Sequence, residues 1–434
     1  MRALSFNMLG TIRCLNLSII LIATNLPYTA FAEKQEPQIN EKMKRMTNTD
    51  TVRRSFLTGL IGDALSLGGH YEYDAQKIKA RVGRYLNYLP PGSDNNGIGW
   101  GTANYHPGKV AGDLTDAGEI AIMLLECIKS KSLSKESYSF DVYAQYWLDQ
   151  INVKGYGSCN FQSVGRNAIG CPPGLKPGYI NGGSRRTLQA LSTQQGSTVS
   201  GEYRKALAAD VNCLVSATHF LPLFFISDDE EYLVRESVNT VYLSHKNRDP
   251  LAAAEFLARA LYAMIFLEMD LSAALNRAAV KTANPQVQKW LNDAVAKVKE
   301  ATDPSSSLFK EEFVDDLAIT SMSRLWDIGK VEPIKIGKAS PTEGALPSSL
   351  YFALKYSTNV EEALIANAGC GGDSAARGIV IGMLLGAQSS FSGFDSDHRW
   401  VRGLNSHARV NELIDDFLSE QATLRPRHEA GKEL

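Results

Sequence analysis

The sequence lacks several features that would place it in a common class. Beyond residue 32 it has no run of roughly 20 apolar residues, the length that a membrane-spanning helix requires. It has no charge excess, with 45 Lys and Arg against 47 Asp and Glu, and so lacks the basic surface that binds nucleic acid. None of its six cysteines has the spacing of a zinc site. We therefore expect that the protein neither binds nucleic acid nor inserts stably into a membrane.

The first 32 residues have the layout of a cleavable secretory signal. Arg2 and Arg13 precede an apolar run over 14–26, and Ala30-Phe31-Ala32 offers the small residues of a cleavage site. The run is about half the length of a stable membrane span. We expect an exported protein, either periplasmic or secreted, with an uncleaved N-terminal anchor as the alternative.

The rest of the chain is predicted to form one domain. Residues 33–50 are polar and lack an apolar period, which predicts a flexible lead-in. The helical domain is expected over 51–425, followed by a polar tail at 426–434. No repeat and no Pro/Ser-rich linker divides it.

Five cysteines remain once Cys14 leaves with the signal, so at least one thiol stays unpaired in an oxidising compartment. Cys159 and Cys171 bracket a Gly/Pro-rich loop. The two either close a small disulfide or stay as loop thiols, and their spacing does not decide between these.

Apolar residues recur at helical spacing along most of the chain, and few segments alternate with period two. The fold is therefore predicted to be all-α. Long Gly-, Pro- and Tyr-rich loops are expected at 75–110 and 152–182, and loops of this length often carry function. Pro222 interrupts the apolar run at 210–225 and should kink or end that helix. The other helical runs cover 53–66, 117–128, 230–243, 250–267, 287–301, 349–356, 360–368 and 375–387.

Two short acidic segments flanked by glycine, 112–119 and 371–377, are the main candidates for a functional site. In each, Thr115 or Asp373 directly precedes an apolar helical run, where a side-chain oxygen can cap free backbone N–H groups. Taken singly, each segment is explained by helix capping. His106 and His245 are lone loop imidazoles, which we interpret as hydrogen-bonding residues rather than ligands or bases.

The combination of patterns resembles the ADP-ribosylglycohydrolase family. Its motifs appear in order as GDALS at 62–66, Thr115-Asp116, Ser244-His245 and GGDS at 371–374. The resemblance spans about residues 52–390 and includes the segment 181–186. It implies an orthogonal all-α bundle whose central cleft binds two Mg²⁺ ions and hydrolyses the N- or O-glycosidic bond of ADP-ribose.

The resemblance carries over only part of the metal site. Thr115, Asp116 and Asp373 match metal ligands of the family, whereas alanine occupies three other ligand positions, 117, 375 and 376. Because Mg²⁺ requires a nearly octahedral shell of oxygen ligands, we expect one ion at most.

The resemblance also suggests roles for neighbouring residues. Asp116 and Glu72 are the catalytic candidates, with Glu72 as the acid or base. Arg377 either supplies the positive charge of a lost metal or pairs with Asp373 on a solvated helix face, and both interpretations stay open. The predicted substrate-binding residues are Asp63, which can also orient the first acidic segment, Asp113, Gly371, Gly372, Ser374 and Arg377.

We therefore predict an exported hydrolase that acts on ADP-ribosyl groups, free or protein-linked, or on a related riboside, assisted by at most one Mg²⁺. The alternative is a catalytically inactive protein of the same fold that binds ADP-ribose or a nucleotide sugar.

Overall fold

A computed structural model describes residues 35–91, 105–151, 155–161, 171, 173–193, 201–322, 324–325, 334–335 and 337–424. The chain divides into two compact units, 1–46 and 47–434. Of the first unit, residues 35–46 are described, and they are helical. The predicted signal at 1–32 and the predicted tail at 426–434 lie outside the described residues.

The prediction of an all-α fold is confirmed. Two strands of two residues each, β1 (Arg324–Leu325) and β2 (Ile334–Lys335), form an antiparallel pair. The α-helices of the described residues are α1 (Gln35–Ser66), α2 (Ala75–Val82), α3 (Asp116–Ser130), α4 (Phe140–Gln150), α5 (Ser158–Phe161), α6 (Gly182–Ser192), α7 (Gly201–Leu207), α8 (Glu230–Val241), α9 (Arg248–Ile265), α10 (Leu271–Lys281), α11 (Gln286–Thr302), α12 (Val314–Met322), α13 (Thr342–Lys355), α14 (Val360–Cys370), α15 (Ser374–Gly386), α16 (Arg399–Gly403) and α17 (His407–Leu424).

The second half of α1 and the buried helix α15 lie unusually close together. A Cβ added to Gly62 would lie 2.2 Å from the carbonyl oxygen of Gly378, and one added to Gly378 would lie 2.4 Å from that of Gly62. Only glycine permits two helix backbones to approach so closely. This contact fixes the C-terminal end of α1 beside the N-terminal end of α15, where the two candidate segments of the sequence meet.

Three sequence predictions about local structure differ from the observed fold. Residues 35–50 belong to α1 instead of a flexible lead-in, since their Gln, Glu, Lys and Met residues favour helix without an apolar period. Residues 75–82 form α2 inside a predicted loop, capped by Asp74. The run at 210–225 contains two 3-10 helices, Leu214–Ala217 and Leu221–Phe225, because Pro222 has no amide hydrogen for a continuous α-helix.

Among the described helices, none is long and apolar enough to cross a membrane.

Candidate active site

A small pocket lies where the N-terminal ends of α3 and α15 meet the chain that follows α1. The two acidic segments therefore meet in space, although more than 250 residues separate them in sequence. The centre of a water molecule can reach about 10 Å³ of the pocket, which leaves room for about one water. The lining residues are His70, Tyr71, Thr115, Asp116, Ala117, Asn181, Cys213, Val215, Asp373, Ala375 and Ala376.

A Gly-Gly turn places Asp373 at the start of α15. Gly371 and Gly372 have φ angles of 66° and 70°, a left-handed backbone that glycine adopts without strain. A Cβ on Gly372 would lie 2.3 Å from the carbonyl oxygen of Lys338. The amide of Asp373 donates to that same oxygen at 2.7 Å. Both glycines thus have a structural role in positioning Asp373, and their predicted contact with substrate stays a prediction.

The carboxylate of Asp373 is held by an imidazole. Nε2 of His70 lies 3.0 Å from Oδ1 of Asp373, and Nδ1 of the same ring lies 2.8 Å from Nε2 of His106. Burial opposes ionisation of Asp373, but the hydrogen bond and charge of His70, together with Ser340 and Arg377, outweigh it and lower the carboxyl pKa. Because an ionised carboxylate can only accept, Nε2 of His70 is the donor.

Aromatic rings surround this chain of imidazoles. Tyr71 stacks on His70 with ring centroids 3.9 Å apart, and Tyr179 meets Tyr71 and His106 edge-on. Tyr71 has a φ of 67°, and such strained non-glycine residues concentrate at functional sites. Burial, with the charges of His70 and Lys109, lowers the pKa of His106 well below its usual value. His106 is thus a neutral hydrogen-bonding residue, in agreement with the sequence prediction.

Asp116, the first residue of α3, is in a different environment from Asp373. Its Oδ2 accepts from the side-chain amide of Asn181 at 2.8 Å and from the backbone amide of the same residue at 3.3 Å. Burial raises the pKa of the Asp116 carboxyl to about 6, although the bonds from Asn181 and the charge of His70 act against it. The pocket therefore holds two carboxyl groups whose pKa values are shifted in opposite directions.

Asp63 supports Thr115 from behind the pocket. Its two oxygens accept from the backbone amide of Thr115 at 2.7 Å and from the Thr115 hydroxyl at 2.5 Å. Burial raises the pKa of Asp63 to about 7, against the effect of these hydrogen bonds. Thr115 in turn caps α3 by accepting from the amide of Ala117. Asp63 is thus a positioning residue and does not line the pocket.

The side chain of Glu72, the predicted acid or base, does not line the pocket, although its backbone carbonyl accepts from the amide of Gly372 at 2.6 Å. Its side chain is buried, but one oxygen accepts from the amide of Asp74 at 3.0 Å and the other pairs with Lys77. Both partners belong to the start of α2, which sequence analysis interpreted as loop. His70, two residues earlier in the chain, lines the pocket instead.

Of the two interpretations of Arg377, the ion pair on a solvated helix face is wrong, whereas the replacement of a lost metal charge stays a prediction, since the charge of Arg377 helps to lower the pKa of Asp373. The side chain is fully buried instead of lying on a solvated face. Its guanidinium donates to Oδ1 of Asn367 at 3.0 Å and to the backbone oxygens of Lys338 at 3.3 Å and Gly371 at 2.5 Å. It does not line the pocket. Arg377 therefore braces the Gly-Gly turn from inside the protein, because its guanidinium bonds to the carbonyl of Gly371 and to that of Lys338, which also accepts from the amide of Asp373.

Asp113 and Ser374 are also placed outside the pocket lining. Asp113 accepts from the side chain of Asn405 at 2.8 Å and from the amide of Val110 at 2.9 Å, so it fastens the loop before α3. Ser374 is fully buried, and its carbonyl accepts from Ser66 at 3.0 Å. Their predicted substrate contacts are not visible in this arrangement.

Comparisons with known proteins show which family the chain belongs to. A family model described as ADP-ribosylglycohydrolase matches residues 44–427. The chain belongs to this family. Its fold is also similar to that of a solved ADP-ribosylglycohydrolase-related protein complex, with 15% sequence identity, a TM-score of 0.50, and coverage of 86% of this chain and 98% of that one. No curated protein matches it.

The residues present do not fit the metal pair that the resemblance to ADP-ribosylglycohydrolases implies. The Thr115 hydroxyl is bonded to Asp63, Oδ2 of Asp116 accepts from Asn181, and Oδ1 of Asp373 accepts from His70. Among the described residues, no three His, Cys, Asp or Glu side chains are grouped to hold a metal ion. Ala117, Ala375 and Ala376 offer the pocket no side-chain oxygen. A single bound Mg²⁺ stays a prediction.

Sequence analysis of this member of the ADP-ribosylglycohydrolase family missed His70 and Asn181 as site residues. His70 follows the GDALS motif, and Asn181 opens the segment 181–186 that contributed to the resemblance. Neither carries a local signal of its role, because the partner of His70 lies 303 residues away and that of Asn181 lies 65 residues away. Only the packed structure pairs them with Asp373 and Asp116.

Proposed function

We propose that this protein hydrolyses the N- or O-glycosidic bond of an ADP-ribosyl group, or of a related riboside, at the pocket that contains Asp116 and Asp373. The observation that carries the proposal is the contrast between these two carboxyl groups. His70 favours the ionised form of Asp373, whereas burial favours the protonated form of Asp116. A pair of carboxyl groups with separated pKa values is the arrangement that glycoside hydrolysis uses.

Each carboxyl group has a distinct task in this reaction. The bond between C1 of the ribose and the leaving nitrogen or oxygen breaks, and a water molecule gives a hydroxyl to C1 and a proton to the leaving group. The negative charge of Asp373 stabilises the positive charge that develops at C1. Asp116 transfers the proton. With a pKa of about 6, about one Asp116 in ten is protonated at pH 7.

We further propose that the pocket functions without a bound Mg²⁺ ion. The N–H of His70 occupies one oxygen of Asp373 and the amides of Asn181 occupy one oxygen of Asp116, so fewer oxygens are free to bind a metal. Activity should therefore survive dialysis against EDTA, and added Mg²⁺ should change neither the melting temperature nor kcat. Loss of activity with the metal and its recovery on readdition would contradict this and support the one-ion prediction.

The central experiment measures ADP-ribose released from peptides that carry N-linked or O-linked ADP-ribose. Asp116→Asn and Asp373→Asn should each lower kcat by about 10²-fold or more, because the first removes a general acid and the second removes a charge that stabilises the transition state. Asp293→Asn is the matched control, because Asp293 lies on the surface of α11 and pairs with Lys289 at 2.6 Å. If either pocket variant turned over substrate as fast as wild type, the catalytic role assigned to that carboxyl group would be wrong.

Binding without turnover is the second candidate function. Three alanines, which supply no catalytic side chain, line the pocket at positions where the resemblance implies metal ligands. A thermal-shift titration with ADP-ribose separates the candidates. Stabilisation of both wild type and Asp116→Asn, with no product released from either peptide by wild type, would favour the binding protein.

We also propose that the chain is exported, on the basis of the layout of residues 1–32. Mass spectrometry of the protein recovered outside the cytoplasm should show a chain that begins near Glu33. A full-length chain recovered only from the cytoplasm would contradict the proposal.

A further inference from the structure

Two cysteine thiols touch each other beside the segment that leads into the pocket. Cys159 and Cys171 are both thiols in this structure, and their side chains are in hydrogen-bond contact. Cys159 is fully buried, whereas Cys171 is half-buried. Thiols this close need only a small movement to bond, provided that both can turn toward each other.

The cysteines lie at the base of a loop that is closed by backbone contacts. The amide of Cys159 donates to the carbonyl of Lys176 at 3.1 Å, and the amide of Gly157 donates to that of Pro177 at 3.2 Å. The Cys171 side chain also packs against the turn at Gly108, since a Cβ there would lie 3.0 Å from the Cβ of Cys171. Any restraint between the two cysteines therefore acts directly on residues 176–177.

Residues 176–177 run straight into the wall of the pocket. Tyr179, two residues further, lies edge-on to Tyr71 and His106. Asn181 then donates two hydrogen bonds to Asp116. The rigidity of the segment 176–181 thus determines how firmly Asn181 holds the Asp116 carboxyl group.

We propose that Cys159 and Cys171 form a reversible disulfide that fixes the segment delivering Tyr179 and Asn181 to the pocket. The formation of this disulfide does not depend on the proposed function; only its effect on catalysis does. The oxidant is a low-molecular-weight disulfide such as oxidised glutathione.

The exchange has two balanced steps. Cys171, the more accessible thiol, attacks the oxidant as its thiolate and forms a mixed disulfide; the S–S bond of the oxidant breaks, and the glutathione thiolate that leaves takes up the proton that Cys171 lost. Cys159 then loses its proton and displaces the second glutathione, which closes the protein disulfide. Two cysteine thiols are oxidised and one glutathione disulfide is reduced. Burial, with the hydrogen bond of Cys171, raises the pKa of Cys159 to about 12, so the second step should accelerate with rising pH.

The test compares the full chain in oxidised and reduced glutathione buffers. In the oxidised buffer, trypsin digestion without reductant should yield peptide 155–166 linked to peptide 167–185, and this species should vanish after reduction. The oxidised form should melt roughly 3–6 °C higher, as expected for closing a loop of this length in a large domain. Hydrogen exchange of the amides at 176–185 should be at least severalfold slower.

Two variants control the experiment. Cys171→Ser should abolish the linked peptide and both redox responses, whereas Cys127→Ala, on the buried side of α3, should keep them. Failure to find the linked peptide, or only a stable glutathione adduct on Cys171, would overturn the disulfide. A linked peptide without slower exchange at 176–185 would overturn its action on the pocket. Neither result depends on turnover, so the failure of the proposed hydrolysis would be recognised separately.

Discussion

The hydrogen bond between His70 and Asp373 can be measured by a double-mutant cycle with His70→Ala, Asp373→Ala and the double variant. Both side chains are at most 5% exposed, so bulk solvent does not replace a lost partner. Removing His70 leaves a buried carboxylate without its donor, which typically costs about 3–5 kcal/mol. The stack of His70 on Tyr71 adds about 0.5–1.5 kcal/mol to that loss.

Removing Asp373 instead takes away the charge along with the acceptor. We therefore expect Asp373→Ala to lower the free energy of unfolding by less than His70→Ala does. The double variant should be little worse than His70→Ala alone. Each of the two His70→Ala steps of the cycle loses the stack on Tyr71, so this contact does not contribute to the coupling energy. The coupling energy should be about 1.5–3 kcal/mol, as for a hydrogen bond to a charged group.

The assay is urea unfolding at pH 7, followed by tryptophan fluorescence, in EDTA and again in excess Mg²⁺. The coupling should be the same in both buffers, since the imidazole and not a metal holds the carboxylate. A coupling below about 0.5 kcal/mol in EDTA would refute the reasoning. So would a coupling that depends on Mg²⁺, because an ion would then occupy the oxygen assigned to His70.

Three further predictions concern the residues that support the site and the fold. Gly372→Ala should destabilise the protein by about 2 kcal/mol or more in urea unfolding, because the added Cβ clashes with the Lys338 carbonyl and the residue has a positive φ. Gly369→Ala is the control, since a Cβ at Gly369 has no neighbouring atom within 4 Å. This substitution should be neutral or stabilising by up to about 1 kcal/mol. Arg377→Met should cost about 3 kcal/mol or more, because the buried carbonyl of Gly371 and Oδ1 of Asn367 lose the guanidinium donor. An unchanged urea midpoint would show that the guanidinium does not brace the turn. Burial opposes ionisation of Glu230, but Arg277 and Lys281 outweigh this effect and lower the pKa of Glu230 to about 2. The contribution of Glu230 to the free energy of unfolding is therefore present above about pH 4.5 and lost as the pH falls toward 2. Wild type should accordingly lose about 1–2 kcal/mol more stability than Glu230→Gln between pH 7 and pH 3; parallel losses in the two proteins would contradict this.

The sequence alone was sufficient for the all-α fold and for most of its helices. The spacing of apolar residues and the presence of a capping residue are local properties that can be read from the sequence. They predict a helix directly after Thr115, and α3 does begin at Asp116 with Thr115 as its N-cap. The glycines and acidic residues of the two candidate segments are equally visible, because their type and order are what the family shares. The missing ligands at Ala117, Ala375 and Ala376 could also be recognised without coordinates.

The tertiary structure decided which side chains form the site. Glu72 and His70 are both plausible from composition, but only packing shows that Glu72 turns toward Lys77 and that His70 bonds to Asp373. Arg377 is charged, and the average charged residue is exposed, yet here it is buried to satisfy the carbonyls of the Gly-Gly turn. The physical reason is the same in each case. A side chain's direction depends on partners hundreds of residues away, and their positions are fixed only when the helices pack.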